Sequence, residues 1–336
     1  MAVHRPNIGG GLLAYNAGSV TNSYWDTEKS GRATSSGGTG LTTAQMKEAS
    51  RYSAWDTENV WYLNGGQSAP LLRSFLTPLT VKADAATKVY DGSAAAGPTN
   101  AIYTPGTYDT SKVLGTLTWS GNTDAGTYGL SGLYTSGQQG YLISYDSASK
   151  LTITPRTLSI SGSRVYDGTT AVAAADFTGG VIATGVGTQT LQLSGSGTLT
   201  GKDAAAQVLS DLGTLALADG AGKASNYTLL SGGSVLITPK TLTTSLTGAV
   251  EKVYDGRKAA TLTSGNYSAL SGIVGSDAVS LSYATSGIYA DKNVGENKAV
   301  AVSGLSLTGA AAGNYQLAST SLSGNVGKIT PKALSA

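Results

Sequence analysis

One stretch recurs and constrains everything else. Lys88-Val89-Tyr90-Asp91-Gly92 returns as Arg164-Val165-Tyr166-Asp167-Gly168 and again as Lys252-Val253-Tyr254-Asp255-Gly256. A second marker travels with it: Ile153-Thr154-Pro155-Arg156, Ile237-Thr238-Pro239-Lys240 and Ile329-Thr330-Pro331-Lys332 each close a unit. Leu76-Thr77-Pro78 stands where a preceding unit would end. Successive prolines lie 77, 84 and 92 residues apart, yet each proline is only 12, 11 and 15 residues from the next repeat tyrosine. Length variation therefore falls after Tyr-Asp-Gly, where loops absorb it at little entropic cost, and the junctions stay nearly constant. The chain is one module used three times.

The module reads as β structure. Thr157-Leu158-Ser159-Ile160-Ser161, Leu191-Gln192-Leu193, Val279-Ser280-Leu281-Ser282-Tyr283 and Leu117-Thr118-Trp119 alternate apolar and polar residues. That period places one face in a core and the other in water. Asp-Gly is a strong turn signal, since glycine accepts positive φ without steric cost. Lys/Arg-Val-Tyr-Asp-Gly is thus a strand end entering a tight turn, with the ring of Tyr90, Tyr166 or Tyr254 as a core anchor. Tyr227 and Tyr315, also locked to the repeat, are expected in the core as well. Pro155, Pro239 and Pro331 lack an N–H, so each ends its strand and stiffens the passage into the next module.

Composition narrows the class. Charged residues are 12% of the 336, about half of the usual ~25%, and the polarity is carried by Ser and Thr, which suit a solvated strand face. A net charge of +2 leaves no electrostatic footprint for nucleic acid. The absence of cysteine excludes disulfides and thiolate metal sites. No run of 18 apolar residues occurs, so no membrane insertion by a helix is expected. Met1-Ala2-Val3-His4-Arg5-Pro6 has no apolar h-region and is not a signal peptide. It leads straight into a structured motif, so the chain reads as a fragment of something longer.

The sequence offers no catalytic, cofactor or metal residues. His4 is the one histidine and is read as a solvated terminal residue, which leaves no Ser/His/Asp or Cys/His set elsewhere. No phosphate-binding glycine loop, His-Glu-Xaa-Xaa-His helix or EF-hand loop is present. Asp91, Asp167 and Asp255 are the only regularly repeated carboxylates. A Ca²⁺ ion wants six to eight oxygens, and no second acid recurs at a fixed offset, so they are assigned to the backbone amides of their own turns. There are 18 Tyr against 2 Phe. Tyr103, Tyr108, Tyr128, Tyr134, Tyr141 and Tyr145 crowd the first repeat without period, and any ligand-binding surface is expected there, with Tyr103, Tyr108, Tyr134 and Tyr145 as its candidate residues.

Tyr-Asp-Gly near the start, Asp124-Ala125-Gly126-Thr127-Tyr128 or Lys292-Asn293-Val294-Gly295 in the middle, Asn226-Tyr227-Thr228-Leu229 and Asn314-Tyr315-Gln316-Leu317, and the closing Ile-Thr-Pro resemble the glycine-rich YDG or MBG-type β repeats. The first copy departs from that pattern, with Gly140-Tyr141-Leu142 in place of Asn-Tyr-Xaa-Leu. Such repeats occur in tandem in large secreted bacterial adhesins of the filamentous-haemagglutinin type. Gly11 to Asp26, with Trp25, Trp55 and Trp61, resembles one coil of the GLUG-type repeats that end parallel β-helices in the same exoproteins. Thr42-Thr43-Ala44-Gln45 reads as a capping box opening a short helix near 42–49.

The expected fold is therefore all-β: a β-helix end or cap over 1–75, then three small antiparallel β-sandwich modules of Ig-like type over 76–156, 157–240 and 241–336. β-grasp-like modules are the alternative. The resemblance implies a non-catalytic stalk of a secreted, cell-surface adhesin serving cell adhesion or biofilm formation. Its partners would be neighbouring modules, further copies in a homopolymer, or a host-surface ligand. The alternative is a carbohydrate-binding module that recognises a polysaccharide through exposed Tyr and Trp.

Overall fold

A computed structural model describes residues 9–334, and His4 lies outside them. The described chain is all-β: its only α-helix is the four residues Thr27–Ser30, and its other helical pieces are short 3-10 turns. It forms two compact units, Met1–Pro155 and Arg156–Ala336.

The second unit holds two modules built to one plan. Arg156–Leu158 pairs in parallel with Tyr227–Leu229; after Ser159-Ile160, Ser161–Val165 pairs in parallel with Ser234–Thr238. One opening segment thus serves two sheets. Ser234–Thr238 continues antiparallel to Ala206–Asp211, then Ser196–Leu199 and Ala171–Ala173, giving five strands. Val181–Ala183, Thr190–Ser194 and Ala216–Ala218 form a separate antiparallel sheet.

The third module repeats this. Lys240–Leu242 lies parallel to Tyr315–Leu317, and Val250–Val253 lies parallel to Ser321–Thr330. Gly295–Ser303, Ser286–Tyr289 and Ala259–Thr261 complete five strands.

Alternation along the closing strands places their apolar residues in the core. Val235 and Ile237 are buried, as is Ile329, which packs in one cluster with Val250, Leu262, Tyr289, Val300 and Val302.

In the first unit, Thr77–Lys82 lies between Tyr141–Tyr145, parallel, and Ile102–Thr104, antiparallel. Ala86–Val89 runs parallel to Lys150–Thr154, which pairs antiparallel with Gly126–Thr135 and through it with Val113–Trp119. The leader contributes a parallel pair, Tyr24–Asp26 with Thr39–Leu41. It also carries an aromatic cluster in which Tyr52 touches Tyr24 and Trp55, and Trp55 touches Trp61 at 4.3 Å between ring centres. Buried Asn64 ties the leader to the first module: its amide exchanges two hydrogen bonds with the backbone of Thr135, at 2.8 and 3.0 Å.

Two features differ from the sequence expectation. The sheets are mixed, antiparallel in the middle but closed by parallel pairing of first and last strands. Two strands running the same way let the chain enter a module at one end and leave at the other, as head-to-tail modules require. The capping box forms, with Gln45 N–H donating to Thr42 Oγ1 and Thr42 N–H donating to Gln45 Oε1. It opens no continuous helix over 42–49, however, only the 3-10 turns Gln45–Lys47 and Ala49–Tyr52, because Glu48 between them is extended.

Candidate functional site: the motif corner and the module junction

The two motifs that mark the repeat lie side by side in space. Lys88 pairs with Ile153, Arg164 with Ile237 and Lys252 with Ile329 in the parallel ladders. The next backbone bond is the same in every module: Tyr90 N–H to Thr154, Tyr166 N–H to Thr238 and Tyr254 N–H to Thr330, all at 2.9 Å. Pro155, Pro239 and Pro331 follow these threonines and interrupt the strands, as their missing N–H requires.

At this corner Gly92, Gly168 and Gly256 turn the chain with φ near +80° (78°, 82° and 78°), a conformation that costs other residues strain. The preceding aspartate closes the turn on itself. Asp91 accepts from Ser93 N–H, Asp167 from Thr169 N–H and Asp255 from Arg257 N–H, each at 2.9 Å. The basic residue three positions earlier completes the corner: Lys88 and Lys252 reach Asp91 and Asp255 at 2.7 and 2.9 Å, and Arg164 pairs with Asp167.

The electrostatics follow. Hydrogen bonds from Lys88 and then Ser93 hold Asp91 down at about 2. The amide of Arg257 and the ammonium of Lys252 lower Asp255. In Asp167 burial pulls upward, but Arg164 and Thr169 outweigh it. The Lys/Arg is the residue that sequence reasoning left without a role; its fixed place three before the aspartate was the available signal.

Arg164 is the most enclosed of the three bases, its side chain 6% exposed. An Asp167→Ala chain leaves that guanidinium buried without its carboxylate. We expect a loss of about 1–3 kcal/mol, toward the lower end because Asp167 itself is half exposed and screened by water. Arg164→Lys, which copies the other two modules, should cost less in the same urea titration. Equal losses would refute this account of the corner.

The repeat tyrosines divide. Tyr90, Tyr166, Tyr227 and Tyr315 are buried, as their motif positions predict, but Tyr254 is 36% exposed. The reason lies at the junction of the second and third modules. Tyr166, from the second, meets Tyr315, from the third, edge to face at 5.4 Å. Both hydroxyls donate to one carboxylate oxygen of Asp277, at 2.8 and 2.6 Å. The Tyr315 hydroxyl also accepts from Val274 N–H. A second tie joins the same modules: buried Asn314 donates to Asp203 and accepts from Ala204 N–H, at 2.9 and 2.7 Å. Tyr166 is a core residue only because the next module covers it.

Burial, then its bond to the Asp277 carboxylate, pushes the Tyr166 hydroxyl up to about 12. The same causes raise Tyr315. The hydroxyls of Tyr315 and Tyr166 hold Asp277 below its ordinary 3.8. A carboxylate lowered on folding contributes stability that is complete above its unfolded value and is lost as pH falls through the folded one. A phenol raised on folding contributes stability that is complete below its unfolded value of 10.0 and is lost as pH climbs, for Tyr166, through about 12. Thermal melts should therefore hold between about pH 4 and pH 10 and fall on either side, and Asp277→Asn should shrink the acid-side loss. An unchanged acid limb in that variant would remove Asp277 from the account.

Of the four tyrosines expected to mark a ligand surface, Tyr103 and Tyr108 stack at 4.7 Å, and Tyr141 stands edge-on to Tyr108 at 6.1 Å. Tyr145 is engaged elsewhere, its hydroxyl accepting from Leu133 N–H at 2.9 Å, and Tyr134 packs over Gly115. All four are half-buried.

The fold and junction define an all-β protein whose second unit consists of two tandem modules braced on one another. The family model of the YDG domain matches residues 147–234 and 238–322, just over half of the chain. The chain belongs to the YDG domain family. Each matched stretch ends just inside the closing strand of its module: 147–234 at the first residue of Ser234–Thr238 and 238–322 at the second of Ser321–Thr330. No curated protein and no solved structure matches the chain.

Proposed function

We propose that this chain is a non-catalytic spacer segment of a secreted bacterial surface adhesin of the filamentous-haemagglutinin type, serving cell adhesion or biofilm formation. The observation that carries the reading is the junction of Tyr166, Asp277 and Tyr315, a buried tie that fixes one module on the next instead of leaving a flexible linker. A stack of braced modules with a Ser/Thr-rich, nearly neutral surface is suited to hold something else at a distance. Each turn-closing aspartate spends one carboxylate oxygen, Oδ1, on its own turn amide and its own Lys or Arg, which accords with a structural role.

A second reading, polysaccharide binding, is favoured by one feature: the stacked Tyr103–Tyr108 pair with Tyr141 at its edge, the kind of partly exposed aromatic platform on which a sugar ring can rest. A glycan-array and exopolysaccharide screen of the full chain beside Tyr103→Ser/Tyr108→Ser separates the two. The spacer reading expects no specific binding by either chain. Specific binding that disappears in the variant would overturn it in favour of the platform.

A further inference from the structure

The third module ends in the same corner as the second, and that corner is open. Ladder register aligns the two ends residue by residue. In the ladders Leu236, just before Ile237, faces Ala206, and Ile329 faces Gly295, whose neighbour Glu296 is ion-paired with Lys328. Counting back along the chain sets Lys292, Asn293 and Val294 at the places of Lys202, Asp203 and Ala204. In the second module these positions are in contact: Tyr166 is 2% exposed, a Cβ on Gly168 would lie 2.9 Å from Val274, and Asp203 and Ala204 bond to Asn314. In the third, Tyr254 is 36% and Val294 49% exposed, and nothing lies within 4 Å of a Cβ on Gly256.

The face that covers Tyr166 is itself part of the repeat. In the second module the Tyr227 hydroxyl donates to Gln189 at 2.6 Å, as Tyr315 donates to Asp277, and Asn226 precedes Tyr227 as Asn314 precedes Tyr315. Each of these modules therefore carries both halves of one interface: a corner tyrosine at one end and an Asn-Tyr pair with a polar acceptor at the other.

We propose that the open corner around Tyr254 is a docking surface for one more module of this kind. That module enters by its Asn-Tyr face and offers the Tyr254 hydroxyl a carboxylate at the position of Asp277. Lys292, at the place of Lys202, whose charge favours the ionised Asp277, supplies the matching cation. The assignment deepens the spacer reading, because it identifies the partner that the corner around Tyr254 accepts.

The test is a full chain in which residues 241–332 are repeated directly after Lys332, compared with the unextended chain by tetranitromethane nitration and peptide mass spectrometry. Tyr15, 82% exposed, and Tyr166 serve as the open and closed standards. In the unextended chain Tyr254 should nitrate readily; in the extended chain its reactivity should fall to that of Tyr166. Asp277→Ala in the appended copy should restore it. Tyr254 reacting equally in both chains overturns the proposal. Protection already present in the unextended chain and lost on dilution also overturns it, since the occupant would then be a second copy. Either failure leaves the spacer reading standing as long as Tyr166 stays protected, because that residue reports on the existing junction.

Discussion

Tyr166→Ala is expected to cost about 3–5 kcal/mol, the range for removing a large buried aromatic, and to change the form of unfolding as well as its midpoint. The ring is 2% exposed and its cover comes from the following module. Its loss removes packing against Tyr315 and one of the two hydroxyls on Asp277. In modular chains stability is approximately the sum of each module's own stability and the interface terms between neighbours. Deleting an interface term should therefore let the second and third modules unfold separately. A urea titration followed by circular dichroism should split into two transitions for residues 156–336, and hydrogen exchange should show which module opens first. Tyr166→Phe, which keeps the ring, should retain one transition at lower stability. A single transition with an unchanged midpoint in the alanine variant would show that the junction does not couple the modules.

The second large effect is at the isoleucine of the closing motif. Ile153, Ile237 and Ile329 are 2%, 1% and 1% exposed and sit at the same ladder position. Truncation to alanine should cost about 2–5 kcal/mol at each, because a strand hydrogen-bonded on both edges cannot shift to fill the cavity. Ile329→Ala should destabilise the third module while Tyr254 N–H and its turn remain; Ile237→Ala should do the same in the second. Hydrogen exchange resolved by peptide checks this: accelerated exchange confined to the altered module is expected. Uniform acceleration across 156–336 would mean that the two modules share one cooperative core.

The repeat, the β class, the tight turn at Asp-Gly and the strand-ending prolines were all legible, because each depends on local backbone chemistry. The pairing of Lys252-Val253 with Ile329-Thr330 was not. Alternation in a strand states which face is buried and carries no information about a partner 77 residues away. Tyr254 shows the same limit in another form. It shares its motif with Tyr166, yet one is exposed and the other buried, since burial there is decided by a neighbouring module and not by the five residues around the ring. Asp277 carried no sequence signal, because its counterpart in the second module is Gln189. Asn314 was visible as part of Asn-Tyr-Xaa-Leu, but not its reach across the junction. Tyr134 and Tyr145 fell outside the aromatic platform because Tyr134 packs over Gly115 and the Tyr145 hydroxyl bonds the backbone of Leu133.

The parallel closing ladders have a mechanical consequence. In each module the chain enters at the start of one strand and leaves at the far end of a strand pointing the same way. Tension between the two ends therefore runs along the strands and shears the ladder. Every backbone bond between Val250–Val253 and Ser321–Thr330 is loaded together; with antiparallel first and last strands the load would open them one by one, like a zip. Pro239, between the second and third modules, hands that tension on without slack, so the pair resists a pull along the strands with whole ladders at a time.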